Sequence, residues 1–161
     1  MRRVKPKTYL LTLEYITNKY SVPRQAVEGL CRYEPFGILA LYVANRVEEL
    51  TDIRTTSERF VAISEELDHD VHVSMIRYFY YKRFYTTKLA PRNERLVLQT
   101  MRDNFGDNKF WTDALKYVQR GCVDLTAEYM LRKGCLVKDI AADLLICEST
   151  VRVIRSTWVR S

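Results

Sequence analysis

The sequence predicts an all-α fold, a helical bundle that ends in a helix-turn-helix. Three observations point there. Apolar residues recur at helical spacing through most of the chain, and no segment shows the alternation and turn spacing of a sheet. Helix breakers punctuate that pattern at Pro23, Pro35, Pro91, the stretch Asn104 to Asn108, and Gly134. Near the C-terminus, Ile140, Leu144, Ile146, Val151 and Ile154 follow one another at +4, +2, +5 and +3: one helical turn, a chain reversal, then a second helix. Small Ala141 falls where the two helices must approach closely. These are the apolar positions of a helix-turn-helix, a motif whose second helix typically enters a DNA major groove.

Taken in order, Thr8 to Lys19 has helical periodicity in Tyr9, Leu10, Leu13 and Ile16, continued by Tyr20. Ser21-Val22-Pro23 breaks it, and Pro23 suits the first turn of a helix running to about Tyr33. Ile16, Tyr20, Val22, Val27 and Leu30 repeat the +4, +2, +5, +3 spacing without a gap. Residues 16–30 therefore fit either a second helix-turn-helix or a plain helical hairpin. In the first case Arg24, Gln25, Glu28 and Gly29 face outward, the first three as a second set of DNA-binding residues. Phe36 to Leu50 reads as the central core helix. Thr56 or Ser57 can cap the next helix, which holds Phe60, Val61, Ile63, Ser64 and Leu67.

A turn is expected around Asp68-His69-Asp70. With His72 it offers imidazole and carboxylate to a divalent metal. No third histidine exists and no cysteine is near, which favours a surface turn and no metal. Ile76 to Tyr85 packs six aromatic residues and three bases into ten positions. It fits a buried helix with its hydroxyls at the surface, a partner surface (Arg77, Tyr78, Tyr81, Lys82, Tyr85), or a platform for base stacking. Ala90-Pro91 opens a helix with Leu96, Val97, Thr100 and Met101 on one side. The loop Asn104 to Asn108 divides an N-terminal helical domain, residues 1–105, from a C-terminal domain, 106–161. Phe110 to Gln119 is an amphipathic helix that Gly121 can terminate, and Leu125 to Lys133 leads through Gly134 into the final pair.

The chain has 161 residues, enough for a sizeable core, and 26 Lys+Arg against 20 Asp+Glu lean toward an anionic partner. Basic residues concentrate in 1–24, 77–95 and 132–161, whereas 44–70 carries eight acids against three bases. The four cysteines form no zinc-type spacing and read as small buried residues of a reduced compartment. The apolar run Phe36 to Ala44 is too short to span a bilayer, so the expected location is cytoplasmic. No phosphate loop, nucleophile elbow or metal cluster is present, and the carboxylate pairs Glu48-Glu49 and Glu65-Glu66 are adjacent rather than facing. The expectation is a non-enzyme without a cofactor.

The run LTAEYMLRKGCLVKDIAADLLICESTVRVI, residues 125–154, resembles the DNA-binding domain of LuxR/FixJ-type regulators and sigma-factor region four. The resemblance rests on Gly134, Ile140-Ala141, Leu144, Ile146-Cys147 and Thr150-Val151. It departs at Cys147, where a capping Ser is usual, and at Leu145 in the turn. It implies that Glu148, Ser149, Thr150, Arg152, Val153 and Ser156 face the groove, with Arg152 the foremost base or phosphate contact. Lys138, Arg155 and Arg160 would touch phosphates. The implied function is that of a sequence-specific, DNA-binding transcription regulator of bacterial or phage type, acting on double-stranded DNA as a homodimer or hetero-oligomer. The alternative is an accessory factor docking on RNA polymerase, such as a phage antiterminator or sigma-like protein.

Overall fold

The computed structural model describes residues 4–160, with side chains through Trp158. Ten helices are present among them and no strand: α1 (Pro6–Tyr20), α2 (Arg24–Tyr33), α3 (Gly37–Glu49), α4 (Thr56–Glu66), α5 (Val73–Tyr85), α6 (Pro91–Phe105), α7 (Phe110–Tyr117), α8 (Gln119–Arg132), α9 (Val137–Leu144) and α10 (Glu148–Arg160). No described helix is long and apolar enough to cross a membrane.

Two helices act as hubs. The apolar α3 is buried from Gly37 to Val43 and packs on α1, α2, α4, α5 and α7. The second hub is α8, which packs on α2, α6, α7, α9 and α10. Helices α2 and α7 touch both hubs, so one apolar core runs from Leu13 to Ile154. The loop after α6 does not part this packing. Across it, the Tyr20 hydroxyl donates to Asp113 at 2.8 Å, Asn108 Nδ2 donates to the Tyr20 carbonyl at 2.9 Å, and Asn108 Oδ1 accepts from the Phe110 N–H at 2.8 Å at the start of α7.

Three expectations are corrected. Gly121 does not terminate a helix. The break falls at Val118, and α8 runs through Gly121 because a Cβ there would meet the Leu30 carbonyl at 3.2 Å, so glycine lets α8 lie close against α2. The cap of α4 is Thr55, whose hydroxyl accepts from the Glu58 N–H at 3.2 Å. Of the cysteines, Cys31 and Cys122 are buried, but Cys135 and Cys147 are exposed in the connections flanking α9. Burial pushes the Cys31 thiol up to about 12.

The turn at Asp68-His69 is present, with both residues at positive φ. Asp68 pairs with Lys7 at 2.8 Å, Asp70 accepts from the Lys5 N–H, and His72 caps α5 through Nδ1, accepting from the Ser74 N–H at 3.0 Å. Among the described residues no group of three or more His, Cys, Asp or Glu is placed to hold a metal.

Candidate nucleic-acid interface

The C-terminal pair is built around a left-handed turn. Leu145 sits at φ 57° and ψ 46°, and the N–H groups of Leu145 and Ile146 both point at the Ala141 carbonyl, the second at 3.1 Å. This closes the end of α9 in the manner of a Schellman cap. Apolar burial then fixes α10 against α8 and α9: Ile140, Leu144, Val151 and Ile154 are buried, Ala141 lies beneath them, and Ile146 is half-buried. Two polar anchors hold the pair to the bundle. Asn93 on α6, itself buried, donates to the Asp143 carbonyl at 3.0 Å. At the other end, the Arg132 guanidinium lies over Tyr129 and over Trp158 of α10, 5.1 and 5.0 Å from the ring centroids.

The opposite face of α10 is open. Glu148, Ser149, Arg152, Val153, Arg155 and Ser156 are exposed, and Val153 keeps 63% of its surface in solvent. Thr150 is half-buried at the flank of Val151, so it stands at the edge of this face rather than on it. Lys138 is exposed on α9. The side chain of Arg160 lies outside the described residues. Arg152 approaches Glu148 at 3.5 Å in an i,i+4 pair with both partners more than half exposed. Such an exposed pair contributes little to stability.

The N-terminal pair reproduces this geometry position for position. Ser21 occupies the place of Leu145, at φ 52° and ψ 40°, and the Ser21 and Val22 N–H groups both point at the Thr17 carbonyl, the second at 3.3 Å. Ile16, Val22, Val27 and Leu30 are buried, and Tyr20 is half-buried with its hydroxyl on Asp113. Arg24, Gln25 and Glu28 are exposed, and Arg24 pairs with Glu28 at 2.8 Å, the mirror in charge of Glu148 and Arg152. Gly29, expected outward, is buried: a Cβ would come within 2.9 Å of Leu125 Cδ1, so this face of α2 lies on α8.

The aromatic stretch on α5 is divided. Ile76 and Phe79 are buried, and Tyr80 and Tyr81 are half-buried with their rings edge-on to Phe60. Lys82 turns inward to Glu34 at 2.7 Å. Arg77, Tyr78 and Tyr85 are exposed, with the Tyr78 and Tyr85 rings stacked at 6.3 Å, and Phe84, which sequence reasoning did not single out, is 65% exposed. Phe84 lies one turn after Tyr81, their rings 6.2 Å apart, at the edge of the buried stripe, where helical phase alone does not decide burial. No protein-family model, curated protein or solved structure matches this chain.

Proposed function

We propose that the protein is a sequence-specific DNA-binding transcription regulator, with α9 and α10 forming a helix-turn-helix and α10 as its recognition helix. One observation carries this reading. An amphipathic helix held by Val151 and Ile154 after a tightly closed turn leaves Ser149, Arg152, Val153 and Ser156 uncovered together on its outer face, as a groove-reading helix would need. Arg152 is suited to a bidentate contact with guanine, the Val153 methyls to a thymine methyl, and Lys138 and Arg155 to phosphates. The net charge of +6 favours approach to DNA.

A second reading, docking on RNA polymerase, is favoured by the exposed Tyr78, Phe84 and Tyr85 beside Arg77, the residue types that anchor protein interfaces. The N-terminal pair could then contact DNA beside the enzyme through Arg24 and Gln25. Selection from a random duplex library at two salt concentrations, with the mass in solution recorded, separates the readings. Enrichment of one sequence supports the autonomous regulator, and a palindrome adds a homodimer. Salt-sensitive binding without sequence preference supports the accessory factor.

A further inference from the structure

We propose that a groove beneath the α5–α6 connection binds a phosphate-bearing ligand. The groove has two lobes that share Lys88, Leu89 and Gln119. The first, of about 340 Å³, is lined by Arg83 at the end of α5, Lys88 in the connection and Lys116 near the end of α7, with the hydroxyl-bearing Thr86 and Thr112 between them. All three cations are exposed, and none makes an ion pair with a carboxylate among the described residues, although Glu94 lines the same lobe. Elsewhere the bundle neutralises its inward-turned bases, as Lys82 with Glu34 and Arg46 with Glu66. Here two helices and a connection bring three cations to one cavity without a carboxylate partner among the described residues, Arg83 touching the Tyr117 hydroxyl and the Phe84 ring, and an anion in the cavity would be attracted by all three. Guanidinium, ammonium and hydroxyl donors around one cavity form the donor set of a phosphate.

The second lobe, of about 360 Å³, is walled by Val123, Leu144, Leu145 and Ile146; besides Lys88 and Gln119 its polar lining is Thr87, Asn93 and the pair Arg120–Asp124, 3.8 Å apart. It suits the uncharged remainder of a small phosphate monoester, a heterocycle with an amino group toward Asp124. Leu144 to Ile146 are the turn before α10, so an occupant of this lobe touches the element that positions α10. The phosphate has two sources, a free monoester or the backbone of DNA lying beside α10. Only the second source rests on the DNA-binding reading.

The test uses adenosine 5′-monophosphate, inorganic phosphate, adenosine and a non-specific duplex as probes, on the wild type and on Lys88→Ala, Lys116→Ala and the double variant. Both lysines are exposed, so the variants are expected to fold, and circular dichroism checks it. For a free monoester, calorimetry should show the monophosphate binding the wild type, at least tenfold weaker in the double variant, with adenosine binding far more weakly than the monophosphate. For the DNA backbone, neither free phosphate binds, and the salt slope of duplex binding falls by roughly one for each lysine removed. Adenosine binding as well as its monophosphate, or affinities and slopes unchanged in the double variant, would overturn the proposal.

Discussion

With 1% of its surface exposed, Glu128 accepts from Arg32 Nη1 at 2.5 Å, from the Tyr33 hydroxyl, and from Arg132 at 2.8 and 3.0 Å. That carboxylate joins α2 to α8, and through the Arg132–Trp158 contact it reaches α10. Replacing it with Ala leaves two guanidinia facing each other. Both keep some solvent access, so Glu128→Ala should cost about 3 kcal/mol, the low end for breaking a buried ion pair, in urea unfolding. Asp124, one turn earlier, behaves oppositely. Burial pushes its carboxyl up to about 6, with the nearby Arg120 opposing. The folded state therefore binds this proton more tightly than the unfolded chain. Its contribution favours folding below the ordinary carboxylate range and is lost as pH rises toward and through 6. Asp124→Asn should raise the Tm at pH 7 to 8, and the advantage should vanish near pH 4. An equal gain at every pH would contradict the titration.

At the scale of elements, both left-handed turns carry a side chain where glycine is cheaper. Leu145 is 75% exposed, so Leu145→Gly loses little packing and should stabilise by up to about 1 kcal/mol. Gly37 is the reverse case. A Cβ there would lie 2.3 Å from Val118 Cγ1, and Val is stiff about χ1, so Gly37→Ala should destabilise by about 1–3 kcal/mol in thermal or urea melts. The same elements show what the sequence carries and what it hides. The repeated spacing at 16–30 and 140–154 reports burial directly, because each apolar position faces one neighbouring surface, and both turns appear where that spacing breaks. Helix α3 was legible because its apolar run is buried nearly all round. The α8 hub was not. Its wholly buried stretch, Gly121 to Glu128, contains Asp124, Thr126 and Glu128, whose burial depends on partners such as Arg32, ninety or more positions away, and on the Cys122 carbonyl that accepts from Thr126. Local pattern reads Gly121 as a stop, whereas helix packing needs it as a contact. The cation cluster of Arg83, Lys88 and Lys116 was hidden for the same reason, since only tertiary packing brings α5 and α7 together.

For the whole molecule, the α8 hub lets the two hairpins share one support, with α2 and α10 both packed on it and with opposite charge order at their exposed N-terminal turns. The shared support packs α10 against α8 and α9, which would suit the proposed reading helix. It also offers α2 as an alternative contact surface, so the two must be separated by experiment. The direct measurement is titration of the duplex enriched by selection with the wild type, Arg152→Ala and Arg24→Ala, at one fixed salt concentration and with helical circular dichroism recorded for each. If α10 reads DNA, Arg152→Ala loses about 1–3 kcal/mol of specific binding and relaxes preference at one base pair, while Arg24→Ala has little effect on preference and every helical signal is unchanged. Full affinity and preference in the Arg152→Ala protein would contradict the assignment of α10 as the recognition helix.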